Sequence, residues 1–294
     1  MEQNETFNDW LFRYQYVYRV RRTAKQKRRF ITALVTDIAK MREDIQVIEY
    51  NRHKKYAANN IYVGDIKQAD QIICTYYDTP PQHFGPYYLF DRKKQSKGTT
   101  TSFILVSALL TLLAGLLFTL AYMQVAPSAF DLSSPLTILV AICYGAYFIF
   151  LSKIAKGLSS RHTLIRNTSS ILAILQLINS VKNKKIAFAF IDEGAYGEVG
   201  LNVLQDSCKA SAKIYSLDAV GAHTELQVKG KGFSSERLQQ AEVHQHPSIG
   251  NITYLFGANV NETTEGTQYV LDKTELKQKT LNRTNLTKIS KLFQ

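Results

Sequence analysis

Cysteine is scarce: three in 294 residues, too few to staple a small secreted module. There is one tryptophan, and prolines number only six. Charged residues make up 20% and hydrophobic ones 45%, which excludes wholesale disorder. Nothing resembles Gly-x-Ser-x-Gly, and Lys229-Gly230-Lys231-Gly232 lacks the spacing of a phosphate-binding loop and reads as a hairpin turn. Acid is short relative to base, 24 against 36, giving a formal net charge of +12. Residues 1–20 carry charges and aromatics and no apolar stretch of the signal-peptide kind, so none is expected.

The most telling absence is of charge. From Thr99 to Phe130 there is none, and Asp131 stands alone before Lys153. Two apolar runs lie here, about 102–125 and 135–152. Each is close to the roughly 20 residues a helix needs to cross about 30 Å of hydrocarbon. The link from Ala126 to Pro135 carries turn formers and no Lys or Arg, so the pair reads as a transmembrane hairpin. Arg92, Lys93, Lys94 and Lys97 precede it; Lys153, Lys156 and Arg161 follow. By the positive-inside rule both flanks, and both termini, are expected in the cytoplasm. The short link, the cysteine usage and the lack of sorting signals suit a bacterial plasma membrane. The spans hold no ionisable side chain, which favours an anchor over a channel, and Gly115 and Gly145 would let helices pack closely.

A dense basic cluster, Arg21, Arg22, Lys25, Lys27, Arg28 and Arg29, follows the aromatic stretch Trp10 to Arg19. The hairpin favours anionic lipid over nucleic acid as its partner; a solvated helix face is the bland alternative. Phe12, Tyr14, Tyr16, Tyr18 and Val20 alternate with polar residues, so a strand here stays open.

The remainder reads as α/β: a mixed sheet covered by helices on both faces, with the hairpin inserted. Residues 24–42 form an amphipathic helix through Phe30, Leu34, Ile38 and Met41. Strands are expected at 45–50, 60–65, 71–77, 185–191, 212–217 and 251–256, and helices at 168–181 and 285–292. The strand from Lys185 to Ile191 is apolar on both faces, the mark of a covered sheet. The organisation expected is 1–44 as a basic and aromatic segment with a helix, 45–98 as the first part of the α/β domain, 99–152 as the hairpin and 153–294 as the second part. His244-Gln245-His246 has metal-like spacing but reads as a solvated loop.

Four segments in order resemble the motifs of the M28 zinc aminopeptidases. Residues 60–65 followed by Thr75-Tyr76-Tyr77-Asp78-Thr79-Pro80 resemble the strand ending in His-x-Asp. Arg166-Asn167-Thr168-Ser169-Ser170 resembles Asp-Asn-x-Ser-Gly. The strand 186–191 with Asp192-Glu193-Gly194-Ala195-Tyr196-Gly197 resembles Asp-x-Glu-Glu-x-Gly. Ser216-Leu217-Asp218-Ala219-Val220-Gly221 resembles Asn-Leu-Asp-x-x-Gly. The resemblance implies a zinc-exopeptidase-like fold with its site at the strand ends. It also implies two zinc ions held by His, Asp, Glu, Asp and His, with a further Glu as general base. Position by position, the first His falls on Tyr76, the bridging Asp on Arg166, the base on Gly194, the liganding Glu on Ala195, the next Asp on Asp218 and the last His near Glu275. A permanent cation at Arg166 and lost carboxylates at Gly194 and Ala195 argue against a dinuclear site, so no cofactor is expected.

The expected function is a membrane-anchored, cytoplasm-facing, catalytically inactive peptidase-like protein that binds peptide or protein. Its cleft candidates are Asp78, Arg166, Asp192, Glu193 and Asp218, with Arg166 facing a carboxylate. Strand-end hydrogen bonding is the structural alternative for the three aspartates. Two other functions stay open: an active zinc aminopeptidase with unorthodox ligands, or an accessory subunit of a membrane transport or immunity complex.

Overall fold

The computed structural model describes residues 2–53, 56–125, 134–195, 197–248, 250–264 and 266–293. The turn expected across 126–133, and Tyr196 of the third motif, lie outside these residues. The elements in chain order are α1 (Glu2–Phe12), α2 (Ala24–Ala39), β1 (Ile45–His53), β2 (Tyr56–Val63), β3 (Gln71–Tyr76), β4 (Tyr87–Leu89), α3 (Ser102–Val125), α4 (Pro135–Ala155), α5 (Ser169–Ser180), β5 (Ile186–Ile191) and α6 (Val199–Ser207). There follow β6 (Lys213–Asp218), β7 (Leu226–Lys229), α7 (Ser235–Ala241), β8 (His244–His246), β9 (Ile252–Gly257), β10 (Asn259–Thr263), β11 (Gly266–Leu271), α8 (Lys273–Leu276) and α9 (Arg283–Phe293).

The chain divides into two compact units. One comprises residues 1–80, 86–90 and 160–294; the other comprises 81–85 and 91–159. In the first, eight strands among the described residues form a mixed sheet in the order β1-β2-β5-β3-β6-β9-β7-β8. Its centre, β5, β3, β6 and β9, is parallel, and β2 and β7 run antiparallel to their inner neighbours. The all-apolar β5 is buried along its whole length because both faces are covered. On one face Phe188 joins a core of Phe30, Leu34 and Ile38 from α2, Leu172 and Leu175 from α5, and Leu286, Ile289 and Leu292 from α9. The other face meets Leu201 and Leu204 of α6.

A second, three-stranded antiparallel sheet, β10-β11-β4, carries Tyr87 and Leu89 on its β4 edge. Its strands are short, three to six residues, and give little alternation, which is why the sequence pattern passes over them.

The N-terminal residues are helical, not extended as the alternation of Phe12 to Val20 allows. α1 runs into a wider turn over Arg13–Val17. Phe7, Trp10 and Tyr14 enter the core from one side, while Phe12, Tyr16 and Val17 stay exposed. Buried Asp37 fixes this turn, accepting from Tyr14 Oη at 2.6 Å and from Arg13 Nη2 at 2.9 Å. α2 starts on a capping box in which Thr23 and Gln26 satisfy each other's backbone N–H groups. The basic cluster beside it does not form one solvated face: Arg21 and Lys27 are buried.

Lys229-Gly230-Lys231-Gly232 is not a hairpin turn. β7 and β8 run parallel, so the chain must cross over through α7 between them. His244 to His246 is the edge strand β8, and His246 Nε2 lies 3.0 Å from Gln227 Oε1.

In the second unit, α3 and α4 are long and apolar enough to cross a membrane. They pack on each other through Gly115: a Cβ there would come within 2.6 Å of the Tyr147 ring. Tyr147 Oη donates to the Thr111 carbonyl at 3.2 Å, and the Thr119 and Tyr144 hydroxyls meet. Gly115 therefore serves the packing of α4 on α3, whereas Gly145 has open space around it.

Candidate functional site

Parallel pairing of β3 with β5 and β6 brings three strand ends to one edge. Tyr76 faces Ile191 across the register, and β6 ends alongside at Asp218. Asp192 follows β5 directly. A turn over Leu164–Thr168, ahead of α5, brings in Arg166 and Asn167. Its position is held by Ala219 N–H, which donates to the Arg166 carbonyl at 3.0 Å, and by Asn167 Nδ2, which donates to the Asp78 carbonyl at 2.9 Å.

Three of the positions matched to family ligands meet here. Arg166 Nε donates to Tyr76 Oη at 3.1 Å, and Tyr76 Oη donates in turn to Asp218 Oδ1 at 3.1 Å. Tyr87, from the second sheet, closes the cluster: its hydroxyl donates to Asp218 Oδ2 at 2.6 Å, and the Arg166 guanidinium lies 3.8 Å from its ring centroid. Burial pulls the Arg166 pKa down, but Tyr76, Tyr87 and Asp218 outweigh it and the net shift is upward. Burial raises both tyrosines, so both stay protonated donors. Arg166 is 4% exposed, and its charge is directed into this cluster, not outward to a carboxylate.

Gly194, which the resemblance matches to the general base, touches the back of the same cluster. A Cβ on Gly194 would lie 2.2 Å from Tyr76 Cβ. That distance is set by backbone, so any side chain at 194 conflicts with any side chain at 76. Gly194 and Ala195 instead donate their N–H groups to Asp78 Oδ1, each at 3.0 Å. Glu275 does not join: its carboxylate accepts from the backbone N–H and Nδ1 of His223. Among the described residues, no group of three or more His, Cys, Asp or Glu could hold a metal ion.

Beside the cluster lies a cavity of about 380 Å³ whose lining includes Arg22, Lys27, Asn51, Asp78, Thr79 and Glu193. Lys27 Nζ pairs with Asp192 Oδ1 at 2.5 Å, both buried. Burial, with the Asp192 charge, pushes Asp78 up to about 6. Asn51 and Glu193 both hold left-handed backbone, at φ 50° and 54°, and Asn51 Nδ2 lies 3.5 Å from Glu193 Oε2. Non-glycine residues in this region carry strain. Arg21, fully buried, stacks on Phe30 and donates to Asn167 Oδ1 at 2.6 Å; burial lowers its pKa to about 10.

Motif order in the sequence leads to Tyr76, Asp78, Arg166, Asp192, Glu193 and Asp218. It does not lead to Tyr87, which sits on a three-residue strand outside every motif. Nor does it reveal the inward roles of Arg21 and Lys27, hidden inside a charge run.

No family model and no curated protein matches this chain. Solved structures do match in fold. A glutaminyl cyclase from Tannerella forsythia is 10% identical with a TM-score of 0.55, over 98% of this chain and 97% of that one. A zinc-dependent exopeptidase from Parabacteroides distasonis is 10% identical with a TM-score of 0.51, over 98% and 95%. A leucine aminopeptidase precursor from Bacteroides thetaiotaomicron is 10% identical with a TM-score of 0.50, over 98% and 96%. At this identity the likeness establishes the fold, mixed α/β of the zinc-exopeptidase kind, and nothing finer.

Proposed function

We propose that this chain is a membrane-anchored, cytoplasm-facing protein with a peptidase-like domain that binds peptide or protein and does not hydrolyse it. The observation that carries this reading is the closed cluster of Tyr76, Arg166, Asp218 and Tyr87. Two zinc ions need nitrogen and oxygen donors around them and a bridging carboxylate between them. A guanidinium stands at the bridging position, and its neighbours are protonated phenols. Gly194 has no room for a general base while Tyr76 is present. The residues do not fit the zinc pair.

Binding falls instead to the adjoining cavity, whose walls carry both signs of charge: Arg22 and Lys27 against Asp78 and Glu193. Its volume is within the range of small-ligand sites, about 300–1,000 Å³. A peptide end or a charged side chain is the class of group such walls recognise. α3 and α4 supply the anchor, and the basic flanks favour both termini in the cytoplasm.

The test is zinc stoichiometry by elemental analysis on detergent-purified full chain, after excess zinc is offered and dialysed away. No retained metal is expected, together with no aminopeptidase turnover. Two metals per chain would overturn the reading. A second reading, an accessory subunit of a membrane transport or immunity complex, draws on the open surface at Gly145. Stable co-purification of another membrane protein in mild detergent would favour it.

A further inference from the structure

The α1 helix and the turn after it present two unlike faces. Phe7, Trp10 and Tyr14 are in the core, whereas Phe12, Tyr16 and Val17 are 59%, 57% and 52% exposed. Phe12 and Tyr16 touch, with ring centroids 5.4 Å apart. Large apolar side chains gathered on one surface mark a candidate contact.

Cations from separate parts of the chain lie near the turn Arg13–Val17, while the acids of α1 are Glu2, Glu5 and Asp9, the last paired with Arg13. The turn Arg13–Val17 and the helix α8 both pack on the turn Leu164–Thr168. Gln15 Nε2 donates to the Lys279 carbonyl at 3.2 Å, and Thr163 Oγ1 donates to the Arg19 carbonyl at 3.1 Å. Arg19, Lys273 and Lys277 are thereby brought within electrostatic reach of His162. Burial, then Lys277, Arg19 and Lys273, hold His162 below its ordinary pKa. The acids of α8 are Asp272, at its N-cap, and Glu275, which is engaged by His223. His162 also follows closely in sequence on Ala155, the end of α4.

We infer that Phe12, Tyr16 and Val17, with Arg19, Lys273 and Lys277 around them, form a second membrane contact that rests on an anionic leaflet. Aromatic and aliphatic groups suit headgroup depth, and cations near them add attraction to anionic lipid. A second copy of the chain fits less well, because a two-fold contact would bring like charges together. The contact rests on the proposed membrane anchorage, which makes a leaflet the available partner. It belongs to the α/β unit itself and does not depend on the zinc site.

The test is a nitroxide label placed by Tyr16→Cys in the full chain, with Cys143→Ser and Cys208→Ser; Cys74 is buried and stays. The chain is reconstituted in vesicles of phosphatidylcholine, with and without phosphatidylglycerol. With phosphatidylglycerol the label is expected to be open to oxygen and shielded from an aqueous nickel chelate. The shielded-to-aqueous ratio is expected to fall roughly fivefold on Lys277→Gln, and again on Arg19→Gln. A label that stays aqueous in phosphatidylglycerol overturns the inference. So does shielding that is equal in both lipids and indifferent to charge. Shielding in lipid-free detergent that is lost on dilution would put a second copy on this face, and overturns it too. A second label, at Leu117→Cys in α3, reads the anchor separately. If Leu117 is shielded and Tyr16 is aqueous, the contact fails and the anchor stands; if both are aqueous, both fail.

Discussion

Two neighbouring regions at one edge of the sheet have opposite characters. The cluster of Tyr76, Arg166, Asp218 and Tyr87 is closed: hydroxyls, guanidinium and carboxylate satisfy one another, and an aromatic ring covers the cation. The cavity next to it keeps Asp78, Glu193, Arg22 and Lys27 along its walls. A closed polar cluster and an open, charged cavity therefore stand side by side at this edge. The Tyr76 side chain occupies the place beside Gly194 where a Cβ would not fit, and charge lines the cavity next door.

The heaviest loss is expected on the cavity side. Lys27→Met leaves Asp192, which is 0% exposed, without its cation. Breaking one partner of a buried pair costs about 3–5 kcal/mol. Denaturant unfolding in detergent should register this, and Asp192→Asn in the same chain should recover part of it. If Lys27→Met is neutral, the pair is not what holds α2 to the sheet edge.

Asp78 comes next, and its sign is opposite to that of an ordinary ion pair. Its folded pKa, about 6, lies above the ordinary 3.8. Below 3.8 both states are protonated and the group contributes nothing. Between the two values the folded state binds more protons, so stability falls as pH rises. The cost is fully developed above about pH 6 and amounts to about 3 kcal/mol. Asp78→Asn, which keeps an acceptor for the N–H groups of Gly194 and Ala195, should flatten this dependence. An unchanged pH profile would show that Asp78 is solvated from the cavity.

Gly194→Ala probes the closed side. Its Cβ meets Tyr76 Cβ, so the cost is that of overpacking, about 1–3 kcal/mol. Tyr76→His combined with Gly194→Glu is expected to confer no zinc binding, because both residues bring a Cβ to one place and Arg166 and Ala195 still stand where the resemblance puts ligands. Elemental analysis of that double variant decides it; bound zinc would mean that the backbone gives way.

Much of the fold is legible in the sequence because its central elements have strong periods. The apolar run 185–191, the amphipathic helix 24–42 and the uncharged runs at 102–125 and 135–152 correspond closely to β5, α2, α3 and α4. Elements with weak patterns are not legible: β10, β11 and β4 are short, and the stretch from Phe12 to Val20 alternates in a way that also suits a strand. At the site, motif order leads to Tyr76, Arg166 and Asp218, but no local pattern says that a charge is turned inward. Arg21 and Lys27 read as part of an exposed basic cluster, facing lipid or solvent, until tertiary structure pairs them with Asn167 and Asp192.

The mildest substitution asks what keeps the cluster closed, the ring of Tyr87 or its hydroxyl. Tyr87→Phe removes only the 2.6 Å hydrogen bond to Asp218 and leaves the ring against Arg166. A hydrogen bond to a charged group is worth about 1.5–3 kcal/mol, and Tyr76 still donates to the same carboxylate, so a loss near the lower figure is expected. Tyr87→Leu removes the ring as well and should cost more, through the lost cation–π contact of about 2 kcal/mol for a desolvated pair. Unfolding of the two variants side by side separates the contributions. If they are equally stable, the ring does nothing for Arg166, and the cluster is held by its hydrogen bonds alone.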